Sequence, residues 1–563
     1  MPSLATAVKM TFTEYTMGPT TTMIENRVVF WVLPLMAMVL VVGLVVSRRD
    51  SAQKPPWLRE TIPFVSNAWQ YLTNMQGFLE RSNQKLHKSR LVGFRLGART
   101  LYLVTGAQNV QAMFRPSRGL SPDIFMLDIM EYVWAASKEE LGKFRNDKSG
   151  RMRKPALGTE GRPVHDRYWA SQHHLHSEFL ARSVAANRLG ELYYDRFREK
   201  VEKYPIGKWT TATVRNFCMS DMSESALTTF MGDRILELNP GFMNAMWKFI
   251  LTAAELPWGL PRWMNPRPWR NRDQFHAMTR KYLESAWENF DWNGPDADAD
   301  WEPHFGSRAA REIAKWMKET LSLETSAGLA AAFIFGTNAN AVRMAMWGMI
   351  ELIKDPSLYG AVREEINSNC LRLDPDTGAR SLDAFKMLKL PILQSIYVET
   401  LRLHVSVNVT REVIESMPLD NYNVERGALL QAPSQLAHHD ETVWGDAQHP
   451  ASEFWAMRHI TYTKKTDKSG NTTQTPEFNM AGRVGAFFPY GGGISICPGR
   501  HFAKQGIIFT LGTLVSRFDI DFIEWTYLDG SKSDCPAQND KHFAGAVGMP
   551  PDRDIKFRWK RIW

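Results

Sequence analysis

Phe488-Pro489-Tyr490-Gly491-Gly492-Gly493-Ile494-Ser495-Ile496-Cys497-Pro498-Gly499-Arg500 is a glycine-rich loop that closes on one cysteine. A helix-compatible run, His501 to Val515, follows it. Glycines such as Gly491 and Gly493 permit positive φ and let a flat ligand approach the backbone closely. Backbone N–H groups around the sulfur, with a helix N-terminus nearby, favour a thiolate at Cys497. A lone thiolate held in this way suits the proximal position of a haem iron. A phosphate loop would need a Gly-Lys-Ser/Thr ending, and a zinc site would need further Cys or His at short spacing.

Working outward, Ser322 to Lys354 reads as one long helical stretch ending before Pro356, and it is rich in small residues. Phe333, Gly336, Thr337 and Asn340 are spaced i, i+3, i+4, i+7 and share a face. Gly, Thr and Asn in place of Leu or Ile make either a polar-lined notch or a close helix crossing. Upstream of the cysteine, Glu399-Thr400-Leu401-Arg402 places an acid and a base three residues apart on one helix face. Arg458 follows in Phe454-Trp455-Ala456-Met457-Arg458.

Taken together, in this order, these three elements resemble the cytochrome P450 superfamily, the haem-thiolate oxygenases. Glu399 and Arg402 match its Glu-x-x-Arg helix motif. Arg458 matches the arginine that completes a structural Glu-Arg-Arg triad, and Cys497-Pro498-Gly499 matches the haem-ligand loop. The resemblance runs from the Pro55-Pro56 hinge to the C-terminus. It implies a mainly α fold with small β-sheets and haem b ligated by Cys497. Tyr490, Gly491, Gly493 and Arg500 are implied as parts of the haem-binding loop, and Arg411 as a haem-propionate contact. Tyr490 stands where the family usually has phenylalanine, and Ser495 where it usually has a base. Asn340 occupies the slot of the usual threonine, which is similar to the branch holding prostacyclin synthase and the bile-acid sterol hydroxylases. The resemblance also gives Asn340 and Thr337 a catalytic role in proton delivery, through ordered water.

The chain has 563 residues, 44% of them hydrophobic and 23% charged, which is globular composition. Four scattered cysteines exclude a disulfide scaffold. The net charge of +8 suits an acidic partner or a membrane surface as well as nucleic acid. Val28 to Val46 carries no charge and, at 1.5 Å per residue, reaches roughly 28 Å, close to the hydrocarbon thickness of a bilayer. Arg48, Arg49 and Lys54 follow it, so the positive-inside rule places the C-terminal bulk in the cytosol. The organisation expected is a tail over 1–27, one transmembrane helix over 28–46, a basic, Pro-containing hinge over 47–57, and a catalytic domain over 58–563. A single pass through the endoplasmic reticulum membrane follows.

Other stretches read more plainly. Arg90 to Thr105 alternates around Gly97-Ala98 and predicts a hairpin; Ala107 to Phe114 predicts a helix. Residues 139–167 read as a long surface excursion. Asp296, Asp298 and Asp300 lack the glycine and distal glutamate of a calcium loop. His173 and His176 share a helical stretch as a solvated or haem-edge pair rather than a metal site. His438-His439-Asp440-Glu441 reads as surface loop, and Asn471-Thr472-Thr473 is a sequon that a cytosolic domain leaves unmodified.

No dinucleotide fingerprint is visible. The resemblance therefore implies electrons from NADPH-cytochrome P450 reductase, with O2 and a lipophilic small molecule as substrates and no nucleic acid. Arg500 and Lys504 would offer that acidic flavoprotein a basic face, or be ordinary solvated charges. A terpenoid, steroid or polyketide-like substrate is expected, in the manner of fungal secondary metabolism. Two alternatives stay open: a reductase-independent haem-thiolate isomerase or dehydratase, and a non-catalytic haem carrier.

Overall fold

Proline and side-chain caps set where the helices around the cysteine loop begin. Pro391 opens the Pro391–His404 helix and Pro356 opens Pro356–Cys370, each at a first-turn position where a missing N–H costs nothing. Asp355 accepts from the N–H groups of Ser357 and Leu358, both at 3.0 Å. The computed structural model describes residues 54–62, 65–117, 119–466 and 472–563. The expected anchor at 28–46 and Asn471 of the sequon lie outside the described residues. Among the described residues no helix is long and apolar enough to cross a membrane.

The described chain is mainly helical with small sheets. The expected hairpin forms as Leu91–Leu96 against Arg99–Val104, and the expected helix spans Ala107–Phe114. Those two strands begin a five-stranded sheet, continued in order by Leu429–Pro433, Asn408–Val413 and Leu120–Ser121. Arg411 pairs opposite Leu430 in that sheet. Pro56 and Leu58 clip the chain onto Gly93, its N–H donating to the Pro56 carbonyl and its carbonyl accepting from Leu58, both at 2.8 Å. A four-stranded sheet near the C-terminus is ordered Lys532–Ser533, Phe518–Thr526, Asp554–Arg561 and Trp209–Thr213.

The helix after the cysteine, Arg500–Arg517, is buried continuously from Gln505 to Arg517. A helix apolar all round belongs at the centre of a large domain. It packs against the 341–354 and 391–404 helices, which fixes the cysteine loop relative to both.

Three expectations need correction. The stretch 322–354 is two helices, Leu323–Asn338 and Ala341–Lys354, broken at Ala339-Asn340. Residues 139–167 are not a free excursion. Lys138–Asn146 is a helix with Leu141 and Phe144 in the core. Asp147, Ser149 and Arg167 then bury together: Arg167 donates to the Ser149 hydroxyl at 3.1 Å, and Asp147 accepts from the Ser149 and Trp169 N–H groups. Charge-rich composition concealed groups that satisfy one another. His438 is fully buried, stacks near Phe487 and Phe488, and accepts the Phe488 N–H at 3.1 Å. The Asp296–Asp300 loop is tied down by arginines, Asp300 by Arg188 and Asp298 by Arg308.

Candidate active site

The cysteine loop is shaped by contacts that only glycine allows. Gly491 and Gly493 have φ of 70° and 64°. A Cβ on Gly493 would lie 2.2 Å from the Phe114 carbonyl oxygen, so the loop rests directly on the end of the Ala107–Phe114 helix. The Cys497 N–H donates to the Tyr490 carbonyl at 3.0 Å, closing the loop on itself. The hydroxyls of Tyr490 and Tyr397 are 2.8 Å apart, a polar pair that phenylalanine at 490 would not make.

Two cavities, of about 240 and 300 Å3, share Gly336 and Cys497 as walls. Gly336 decides between notch and crossing. A Cβ there meets nothing within 4 Å, so the stripe is a notch facing the cysteine. The close approach is at Gly328, whose added Cβ would strike the Trp134 carbonyl at 1.8 Å, in the turn after the Asp123–Tyr132 helix. Phe333 and Thr337 line the first cavity; Asn340, Arg411 and Tyr490 line the second. The Thr337 hydroxyl donates to the Ile334 carbonyl at 2.8 Å and accepts from the Asn338 amide at 2.9 Å. The Asn340 Oδ1 accepts from the Gly548 N–H at 2.9 Å.

Two loop residues expected at the ligand pack away from the cavities. Gly493 and Arg500 line neither cavity. Arg500 donates to the Cys497 carbonyl at 3.0 Å and so braces the loop from behind. Lys504 donates to Gln394 at 2.9 Å.

The Cys497 thiol is pushed up by burial, against the pull of the Gly499 and Arg500 N–H groups and the Arg500 charge. A metal cation bound at the sulfur would favour the thiolate over the thiol.

A flat dicarboxylate such as haem fits the surroundings. Arg411 is buried and lines the second cavity, donating to the Gly492 carbonyl at 2.8 Å and the Ser495 hydroxyl at 2.7 Å. Burial and the neighbouring Arg151 pull its guanidinium down to about 10. Arg151 lies over the Trp169 ring at 4.1 Å and pairs with Asp123 at 2.7 Å. His176 lines the first cavity and is lowered to about 4 by burial, His173 and Arg151. His176 is therefore a neutral imidazole near pH 7 and Arg151 already has Asp123, so Arg411 is the buried cation here that awaits an anionic partner. Sequence reasoning passed over Arg151, which sits in the supposed excursion. The proximity of His173 and His176 to a haem edge was among its readings. Among the described residues no cluster of three His, Cys, Asp or Glu could hold a bare metal ion.

Behind the loop, Glu399 binds Arg402 through two bonds at 2.7 and 2.8 Å and Arg458 through one at 2.8 Å. All three side chains are buried, and none lines either cavity. His459, which the sequence did not flag, adds a contact to Glu399 at 3.1 Å. Burial would raise the Glu399 carboxyl, but hydrogen bonds from Arg402 and His459 outweigh it and hold it at about 2. Arg402 also donates to the His438 carbonyl at 2.8 Å, which ties the cluster to the buried His438 segment.

Comparisons agree with this architecture. The family model described as Cytochrome P450 matches residues 191–530. The chain is 52% identical to "Cytochrome P450 monooxygenase calL" of Penicillium decumbens, covering 94% of this chain and 97% of that protein. It is 27% identical to "Cytochrome P450 monooxygenase fsoE" of Humicola fuscoatra, over 90% of this chain and 88% of that one. It is 24% identical to "Cholesterol 7-alpha-monooxygenase" of Cricetulus griseus, over 91% and 94%. The last is a sterol hydroxylase, in keeping with the branch that Asn340 suggested. With its cysteine loop and notched helix walling one chamber, the Glu399 cluster buried behind that loop, and a relative matched over nearly its whole length, the chain belongs to the cytochrome P450 family and is a haem-thiolate monooxygenase.

Proposed function

We propose that this monooxygenase is membrane-anchored and oxidises a lipophilic terpenoid, steroid or polyketide-like metabolite of fungal secondary metabolism. The observation that carries the reading is the largely apolar chamber walled by Phe333, Gly336 and Cys497. The two fungal relatives at 52% and 27% identity support it. In this reading Cys497 would hold the iron of haem b, Arg411 would balance a propionate, and neutral His176 could offer a hydrogen bond at the haem edge. Haem held by a cysteine thiolate supplies the oxidation of unactivated C–H bonds with O2 and two external electrons.

The chain's own residues do the rest. Gly491 and Tyr490 form the bed of the loop. Phe333 and the apolar walls exclude bulk water and hold the substrate. Thr337 and Asn340 order water or substrate oxygen on the helix side. Glu399, Arg402 and Arg458 keep the floor beneath the loop rigid. The electrons come from NADPH-cytochrome P450 reductase. Residues 1–27 are a tail, 28–46 a single-pass anchor in the endoplasmic reticulum membrane, 47–57 a hinge, and 58–563 the cytosolic catalytic domain.

The test is product formation from a fed host's candidate metabolites in four arms, with and without O2 and with and without reductase and NADPH. Turnover only when all are present is expected. Turnover without oxygen and reductase would assign an isomerase or dehydratase instead.

A further inference from the structure

The helix break at Ala339-Asn340 begins a new helix whose one face holds a distant turn. Asn340, Arg343 and Trp347 are spaced i, i+3, i+7 and so share that face. All three bond to the backbone of Gly548 and Met549. The Asn340 Oδ1 accepts from the Gly548 N–H at 2.9 Å, Arg343 donates to the Gly548 carbonyl at 2.9 Å, and the Trp347 indole donates to the Met549 carbonyl at 2.8 Å. The Met549 N–H in turn donates to the His404 carbonyl at 2.8 Å. His404 stacks on Trp347, ring centroids 3.9 Å apart and 2° from parallel.

Arg343 is the costly member. It is 2% exposed, and among the described residues no carboxylate pairs with it within 4 Å. Its donors go to carbonyls, and its guanidinium lies 4.4 Å from the Phe543 ring centroid. A buried guanidinium without an ion pair is expensive to keep. Neither Arg343 nor Trp347 lines either cavity, so neither touches a substrate.

The clasp fixes the chemistry of Asn340. A backbone N–H can only donate, so the atom facing Gly548 must be the amide oxygen. With Oδ1 engaged, the amide cannot flip. Among the described residues no protein group accepts from Nδ2, and Asn340 lines the cavity that Cys497 also lines.

We propose that Arg343 and Trp347 are positioning residues: through the Gly548 turn they lock the Asn340 amide so that it offers only a donor to a substrate's acceptor oxygen. This rests on the proposed monooxygenase reading. It adds a ligand class, lipophiles carrying a neutral carbonyl, ether or hydroxyl oxygen on the side facing Asn340.

The experiment titrates the holoprotein with camphor and with camphane, which lacks only the ketone oxygen, and reads dissociation constants from the ferric Soret shift. The wild type should prefer camphor. Asn340→Ala should weaken camphor by about tenfold more than camphane, the worth of one hydrogen bond in a closed site. Trp347→Phe keeps the ring on His404 but removes the indole donor. Arg343→Met removes the guanidinium at similar length. Each should lower the camphor-to-camphane preference severalfold while camphane affinity stays within about twofold. A purely structural role would weaken both ligands alike, and that result overturns the proposal. So does a wild type with no preference, or one that binds neither ligand. An unfolded Arg343→Met leaves Trp347→Phe to decide. A normal carbon monoxide band with no ketone preference sinks only this inference; loss of that band from the wild type sinks the haem-thiolate reading beneath it.

Discussion

The Arg411 guanidinium donates to the Ser495 hydroxyl at 2.7 Å, joining the Asn408–Val413 strand to the cysteine loop two residues before Cys497. Serine stands where the family usually has a base, so a single buried cation, Arg411, serves this part of the cavity. Arg411→Leu should therefore lower haem content severalfold in the purified protein, measured as pyridine haemochromogen per chain. Ser495→Ala removes one neutral bond worth ~1 kcal/mol and should retain most of the haem. Full haem content in Arg411→Leu would show that the propionates lie elsewhere.

Cys497 should be the sole axial sulfur. The reduced protein with carbon monoxide should show the thiolate-type band, and Cys497→Ala should lose it. Cys218→Ala, Cys370→Ala and Cys535→Ala should keep it; Cys218 and Cys370 are buried away from both cavities and Cys535 is exposed. An unchanged band in Cys497→Ala refutes the assignment.

The Glu399 cluster predicts an acid limb. Its carboxyl is held at about 2 against an ordinary 4.5. A carboxylate depressed in the folded state stabilises fully above its unfolded pKa and loses that contribution as pH falls towards the folded value. Unfolding midpoints should thus decline from about pH 4.5 downward. Glu399→Gln strands Arg402 and Arg458 without a counter-charge and should cost ~3–5 kcal/mol at neutral pH. A urea midpoint at pH 7 equal to that of the wild type would contradict the cluster's role.

Gly493→Ala tests the seat of the loop. The added methyl meets the Phe114 carbonyl at 2.2 Å on a backbone of positive φ. Haem incorporation should drop steeply, whereas Gly482→Ala, also at positive φ but with nothing within 4 Å, should cost only the conformational strain. Equal behaviour of the two variants would separate the loop from Phe114.

Deleting residues 1–50 should shift much of the protein from the membrane pellet to the supernatant with haem content preserved. External protease on intact microsomes should digest the chain beyond Pro56. Protection of that region would reverse the orientation.

The sequence by itself determined the features that depend on near neighbours in the chain. Gly491-Gly492-Gly493 before Cys497, the i, i+3 pair Glu399 and Arg402, the Leu91–Val104 hairpin and the shared face of Phe333, Gly336 and Thr337 are all set by local spacing. Periodicity and turn chemistry act over a few residues, so a reader of the chain recovers them. The tertiary structure decided what meets across long separations. It brought His459 to Glu399, Arg151 towards Arg411, and His438 into the core. It also broke the 322–354 stretch at Asn340 and set that amide on Gly548, 208 residues away. Buried polar groups choose partners by geometry and desolvation, and neither leaves a period in the sequence.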